Sequence, residues 1–320
     1  MRAEAVAKGK KLISIVTPVL NEEDNLDLYF ERMNKVLAQL LNYDFEFVFT
    51  DNASSDGTFQ ALEKRAQEDP RIRAFRFSRN FGYQASIYTG YSKAKGDAVI
   101  EYDCDLQDPP ELLPEFIKKW EEGYQIVYGV RTQRQESAPI QALRKLFYRL
   151  LNAISENDLP KDAGDFMLLD RVIVDQLVQS EERNLYLRGM IFSYGFNQVG
   201  IPYSRQARSR GASKFPLVKM FSLAVDGIIS QSIVPLRVAS FAALGITLIT
   251  IGLAAFYLGL RLFYNYNLPA GFTTTTLLIL FSISINAFFL GVIGEYLARI
   301  YEAVRKKPLT IIERSTESGS

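Results

Sequence analysis

The chain has 320 residues, with 37 lysines and arginines against 36 aspartates and glutamates and a formal net charge of +1. That balance gives no sign of a nucleic-acid binder, and the length allows one sizeable domain plus a further segment. There is no histidine and a single cysteine, Cys104, which excludes a Ser-His-Asp hydrolase, a Cys-His protease, a His-ligated zinc site and an internal disulfide. The lone thiol fits a reducing compartment, and any general base must be a carboxylate, a lysine, a tyrosine or the substrate itself.

Up to about residue 230, apolar runs alternate with helical patterns, which predicts βα units around a mostly parallel sheet. The first strand is expected over residues 12–17, stopped by Pro18, and a helix over 25–41 follows from Leu26, Tyr29, Phe30, Met33, Val36, Leu37 and Leu40 at helical spacing. A second strand over 45–50 closes on Asp51-Asn52-Ala53-Ser54-Ser55-Asp56-Gly57-Thr58, whose acids and small residues form a turn that caps the next helix. Further strands are expected over 72–77, 98–102 and 125–130, with helices over 81–95 and 110–122. Internal repeats and low-complexity tracts are absent.

Ligands of open α/β sheets bind beyond the carboxyl ends of the strands, where residues 18–22, Asp51, Asp103, Asp105 and Arg131 are expected. Asp103 and Asp105 flank one residue at the end of an apolar run, so both can reach one hard cation that also holds a diphosphate. No Gly-x-Gly-x-x-Gly follows the first strand and no Walker lysine loop is present, which disfavours a dinucleotide or NTPase site. Taken singly, Asp51 also reads as a helix cap and Arg131 as a surface residue. Their shared placement with the acid pair argues for a nucleotide diphosphate site.

Residues 238–260 and 272–294 are two 23-residue stretches without a charge. As helices each would reach roughly 35 Å, against a hydrocarbon core of about 30 Å, so both are expected to span a membrane. The connector between them holds only Arg261. Arg205, Arg208, Arg210, Lys214, Lys219 and Arg237 precede the pair, and Arg299, Arg305, Lys306 and Lys307 follow it. Positive flanks stay inside, which puts both ends of the hairpin, and the large domain, in the cytoplasm. Residues 1–11 are polar, so no signal peptide is expected. Residues 216–229 carry Leu217, Met220, Phe221, Ala224, Val225 and Ile228 at helical spacing, which predicts a helix lying on the membrane surface. The expected organisation is a domain over 1–215, a juxtamembrane amphipathic helix over 216–231, two transmembrane helices over 232–298 and a cytoplasmic tail over 299–320. Gly245, Gly252, Gly259, Gly291 and Gly294 offer close helix contacts, compatible with a homo-oligomer.

Five motifs occur in order: Thr17-Pro18-Val19-Leu20-Asn21-Glu22, the Asp51–Thr58 turn, Arg79-Asn80-Phe81-Gly82, Asp103-Cys104-Asp105-Leu106-Gln107-Asp108-Pro109-Pro110-Glu111 and Asp162-Ala163-Gly164-Asp165-Phe166. With the two-span hairpin, the chain resembles family 2 glycosyltransferases of the GT-A fold, in the branch that transfers sugars to dolichyl and undecaprenyl phosphate, including bactoprenol glucosyltransferases. The resemblance implies a Rossmann-like sheet flanked by helices and a nucleotide-sugar pocket lined by Pro18, Leu20, Glu22, Asp51, Asp103, Cys104, Gln107 and Arg131. It implies Mg²⁺ or Mn²⁺ on Asp103 and Asp105, and Asp165 near the reacting carbon, where it acts as a base or only orients the acceptor. Asp158 and Asp162 lie near enough in sequence to be mistaken for it.

Arg208, Ser213 and Lys214 match the family's Arg-x-x-Gly-x-Ser-Lys segment, a loop over donor and acceptor phosphates; a basic patch facing anionic lipid headgroups is the other reading of the same residues. The implied reaction is metal-dependent, inverting transfer of one sugar, with UDP-glucose and undecaprenyl phosphate the leading pair. Cys104 stands where the family commonly has alanine, and Met167 where the dolichyl branch often has arginine. Two other functions are compatible with the fold, a processive polysaccharide synthase and an inactive nucleotide-sugar-binding scaffold. The only tryptophan, Trp120, is not in the Gln-x-x-Arg-Trp motif of the former, and intact Asp103, Asp105 and Asp165 argue against the latter.

Overall fold

The computed structural model describes residues 9–132, 163–180, 185–204, 271–304 and 307–317, with six isolated positions between 241 and 252. The chain divides into two compact units, and the sheet unit takes in the carboxyl-terminal residues from Lys307 onward.

In the sheet unit, β1 (Lys11–Val19), β2 (Tyr43–Asp51), β3 (Ile72–Phe77), β4 (Ala98–Glu101), β5 (Ile126–Arg131), β6 (Ala163–Asp170), β7 (Gln198–Tyr203) and β8 (Ile312–Ser315) form one sheet in the order β7-β5-β6-β4-β1-β2-β3-β8. β1 pairs in parallel with β2 and β4, β2 with β3, and β5 with β7. β6 runs against β4 and β5, and β8 against β3. The expected mostly parallel α/β sheet is therefore a mixed one with two reversed strands.

The helices are α1 (Glu23–Leu37), α2 (Thr58–Glu68), α3 (Tyr83–Lys93), α4 (Leu113–Glu121), α5 (Arg171–Gln179) and α6 (Leu187–Ser193), with a 3-10 turn at Pro110–Leu112 before α4. Leu26, Tyr29, Phe30, Met33, Val36 and Leu37 are the buried residues of α1, the stripe that its sequence spacing requires. Tyr29 packs edge-on against Phe30 and Phe49 and is tilted on Tyr102, so this core sits directly beneath the carboxyl ends of β1, β2 and β4. On α3, Gly90 lies so close to Val16 that a Cβ would stand 2.2 Å from Cγ1; glycine is what lets α3 approach the sheet.

Several boundaries differ from expectation for identifiable reasons. Pro18 does not stop β1, which continues to Val19 with Pro18 opposite Thr50. Proline is tolerated there because the pairing of β1 with β4 ends at Val16, so no ladder partner on that side needs an N–H from Pro18. The Asp51–Thr58 turn caps α2 only in part: the N-cap is Gly57, without a side-chain cap, and it is Asp56 whose Oδ1 accepts from Thr58 N at 3.0 Å. The expected tail contains β8, which pairs with β3.

In the second unit, α7 (Phe272–Val304) is a 33-residue helix, roughly 50 Å long. Its window Phe281–Ala298 makes it the one helix among the described residues that is long and apolar enough to cross a membrane. Many of its large apolar side chains are exposed, Phe281, Ile283, Phe288 and Leu290 among them. The other expected span lies outside the described residues except at positions 241, 245, 246, 248, 249 and 252, all helical. A Cβ at Gly245, Gly252, Gly291 or Gly294 would meet nothing within 4 Å. The juxtamembrane helix, Arg208, Ser213, Lys214, Asp158 and Asp162 also fall outside the described residues.

Candidate active site at the carboxyl edge of the sheet

The reversal of β6 decides the composition of the site. Because β6 opposes its neighbours, its first residues stand at the edge where β1, β2, β4 and β5 end. Ala163 is in register with Val130, and Met167 with Glu101. Asp165 therefore sits in a strand, on the same edge as Asp103.

Electrostatics record how close these acids are. Burial, then Asp105, with smaller contributions from Asp165 and Asp108, push the Asp103 carboxyl up to about 7. Beneath it Glu101, 3% exposed, is raised well above the carboxylate range by burial and by the charges of Asp165 and Asp103. Tyr83 at the start of α3 donates to Asp103 Oδ1 at 2.8 Å and reaches Glu101 Oε1 at 3.4 Å. Tyr91 donates to Glu101 Oε2 at 2.8 Å. Tyr83 thus links the first aspartate of the pair to the buried Glu101, which Tyr91 also holds.

Asp165 is bound by Arg188 of α6, whose Nη2 donates to Oδ1 at 2.6 Å. Arg131 at the end of β5 stands over the neighbouring Gly164, where a Cβ would meet its Nη2 at 3.1 Å. Arg131 is not a loose surface residue: it reaches Asp108 Oδ2 at 3.7 Å and donates to Tyr203 Oη at 3.2 Å. Tyr203 in turn donates to Asp108 Oδ1.

On the β1 and β2 side, the loops are tied across one another. Asn21 N donates to Ser54 Oγ at 2.9 Å, Ser55 N to Asn21 Oδ1 at 2.8 Å and Glu22 N to Thr58 Oγ1 at 2.9 Å. Leu20 is exposed at 42% while Pro18 is buried, so Leu20 offers an apolar wall at the mouth. Asp51 is fully buried, with Oδ1 accepting from Ser54 N at 3.0 Å and Oδ2 from Arg76 Nη1 at 3.1 Å. Among the described residues three non-glycines have positive φ: Asn21 at 59°, Ala53 at 61° and Leu106 at 55°. There is one in each loop that follows β1, β2 and β4. Such conformations cost of order 1 kcal/mol each and gather where loops are shaped for a ligand. Asp105 Oδ1 accepts from Gln107 N at 3.2 Å, which closes the tight turn around Leu106. Cys104 is buried at 2% and its thiol is pushed up by burial, so it is a packing residue between the two acids.

Among the described residues no group of three or more acids or cysteines converges on a metal position. Two hard carboxylates on one strand end, with the charge of Asp105 raising the Asp103 carboxyl, would nevertheless suit a divalent cation whose other oxygens a diphosphate and water would supply. Tyr83, Glu101, Arg76 and Arg188 were not expected in the site. Glu101, an acid inside an apolar strand, was visible as a signal; the other three are brought in by tertiary packing.

The family model for Glycosyl transferase family 2 matches residues 14–178, a range that runs from β1 through most of α5. The chain belongs to this family. It is 39% identical over 305 residues to the glycosyltransferase YkcC of Bacillus subtilis, covering 94% of this chain and 93% of the relative. It is 34% identical over 304 residues to the SfII prophage-derived bactoprenol glucosyl transferase of Shigella flexneri, covering 95% and 98%. Among solved structures it is similar to the mannosyltransferase PcManGT of Pyrobaculum calidifontis, at 15% identity and a TM-score of 0.45, covering 88% of each chain.

Proposed function

We propose that this family 2 glycosyltransferase, of the GT-A type, moves one sugar from a nucleotide donor to a polyprenyl phosphate at the cytoplasmic face of a membrane. The observation that carries the reading is the meeting of Asp103, Asp105 and Asp165 at one sheet edge, with Arg188 on Asp165. UDP-glucose and undecaprenyl phosphate are the preferred pair, supported by the relatives named bactoprenol glucosyl transferase.

Asp103 and Asp105 would hold Mg²⁺ or Mn²⁺, which when bound neutralises the charge that develops on the departing nucleotide diphosphate. Pro18, Leu20, Glu22, Cys104 and Gln107 are assigned to the nucleotide side, and Asp51 shapes the loop that faces the base. In the transfer, a phosphate oxygen of the lipid bonds to the anomeric carbon while the carbon–oxygen bond to the diphosphate breaks, its electron pair leaving on the diphosphate. The result is a single inversion. A lipid phosphate has a second pKa of ~6 and is a ready nucleophile near neutrality, so no proton need be removed. Asp165, oriented by Arg188, positions the acceptor and stabilises positive charge at the carbon. Arg131 lies on the phosphate side, and Arg208, Ser213 and Lys214 complete the phosphate contacts.

The domain over 1–215 works in the cytoplasm, the helix over 216–231 lies at the bilayer surface, and the helices over 232–298 form a two-span hairpin in the inner membrane. The exposed apolar length of α7 supports this placement, and its glycines leave room for a second copy.

The test is transfer of radiolabelled sugar from UDP- and GDP-sugars to undecaprenyl phosphate by purified protein in detergent, with Mg²⁺ and with EDTA. A chloroform-soluble product that requires metal is the expected result. Nucleotide binding without product from any donor would overturn the reading in favour of an inactive binder, and a polymer made from donor alone in favour of a synthase.

A further inference from the structure

One of the two edge strands of the sheet, β8, comes from the carboxyl-terminal segment and lies beside β3 on the donor side of the site. β8 pairs with β3, extended by Ser78 N to Ile311 O at 3.0 Å, Thr316 N to Ala74 O at 3.0 Å and Ala74 N to Thr316 Oγ1 at 2.9 Å. Arg73 anchors it, donating to Glu317 Oε1 at 2.6 Å, Glu46 Oε2 at 2.7 Å and the Lys93 carbonyl at 2.8 Å.

Within this pairing Arg76 of β3 is directly opposite Arg314 of β8. Like charges facing each other across strands repel, and here each arginine is drawn to its own acid. Arg314 takes Glu63 at 3.1 Å. Arg76 turns to the site: its Nη1 meets Asp51 Oδ2 at 3.1 Å, its Nη2 donates to the Ser54 carbonyl at 3.0 Å, and its Nε is 3.8 Å from Glu313 of β8. Both guanidiniums also lie over the buried Phe59 ring, at 5.5 Å and 5.3 Å from its centroid. One planar cation therefore bridges the last residue of β2, the strained loop around Ala53 and the carboxyl-terminal strand.

We infer that Arg76 is a positioning residue for the donor nucleotide, and that β8, which follows α7 in the chain, is a working part of the donor pocket. Arg76 fixes the Asp51–Ser54 loop from behind without touching the ligand, and β8 holds Arg76 in place. The inference rests on the reading of this edge as the nucleotide site.

The experiment compares wild type, Arg76→Ala and Thr316→Ala/Glu317→Gln. UDP binding with Mn²⁺ is followed by calorimetry, and the KM for each substrate by transfer kinetics. Arg76→Ala is expected to weaken UDP and raise the donor KM about tenfold, with kcat and the acceptor KM within twofold of wild type. The strand variant is expected to shift the donor KM the same way by a few fold. Arg76→Lys keeps the charge but cannot make both contacts, so it should fall between, and it carries the test should the alanine variant fail to fold. Donor affinity equal to wild type in the Arg76 variants, or an equal rise in both KM values, would overturn the inference while leaving the donor site standing. Wild-type protein that binds no UDP would remove the reading of the edge and the inference with it.

Discussion

Arg188 and Asp165 are 23 residues apart in sequence and 2.6 Å apart in space. The pair joins the helix after α5 to the reversed strand β6, with both side chains only partly exposed. Removing Arg188 leaves an acid among acids, since Glu101 and Asp103 feel the charge of Asp165.

Arg188→Ala is accordingly expected to lower kcat by roughly tenfold or more, a loss of about 1.4 kcal/mol or more from the transition state. Asp165→Asn should cost more, and the double variant should be no worse than Asp165→Asn, because the arginine acts through the acid. Single-turnover transfer rates for the three variants decide this, and additive losses would show that Arg188 has a separate role.

Asp105→Asn should abolish metal-dependent transfer, lowering the rate about 10²–10³-fold, with the circular dichroism spectrum unchanged. Full activity in this variant would remove the metal role from the pair.

The raised Asp103 carboxyl gives a pH dependence with a definite sign. Cation binding needs the carboxylate, so Mn²⁺ affinity should strengthen as pH rises through about 7. In metal-free protein the same group has a folded pKa above its unfolded value of 3.8. Its contribution to stability is thus fully present below that value and is lost as pH rises toward 7. The stability difference between wild type and Asp103→Asn, followed across this window with EDTA, checks the sign, and a difference that grows in favour of wild type with pH would contradict it.

Tyr83→Phe removes the donor to Asp103 while keeping the ring. Partners that orient a ligand typically contribute 10–100-fold to metal affinity, so electron paramagnetic resonance titration should show Mn²⁺ binding weakened by about tenfold. Unchanged affinity would mean that the strand end alone holds Asp103.

Phe166, next to Asp165, stacks on Phe116 at 4.5 Å and meets Tyr102 and Tyr203 edge-on. It is 3% exposed, and Phe166→Ala should cost about 3–5 kcal/mol by leaving a cavity that these rings cannot fill. Denaturant unfolding of the sheet unit would measure it.

Much of this protein is legible in its sequence because local physics sets it. The apolar runs and the period-3.6 spacing marked β1 to β5, α1, α3 and α4 to within a few residues. The acid pair Asp103-Cys104-Asp105 marked the carboxyl end of β4, the edge where we propose that a cation and a diphosphate bind, and the charge-free stretch from Phe272 marked α7. The tertiary structure decided what depends on pairing between distant segments. Strand direction is not written in an alternating pattern, so the reversal of β6, which delivers Asp165, came only with its partners β4 and β5. Met167, where an arginine would be expected in the dolichyl branch, is 1% exposed in that strand and so fills core. The four residues Ile312–Ser315 are too short to announce a strand by themselves, and only the open edge of β3 makes them one. Arg76, Tyr83 and Arg188 are ordinary residues in sequence; long side chains acquire a role from what stands opposite them, and that is fixed by the fold.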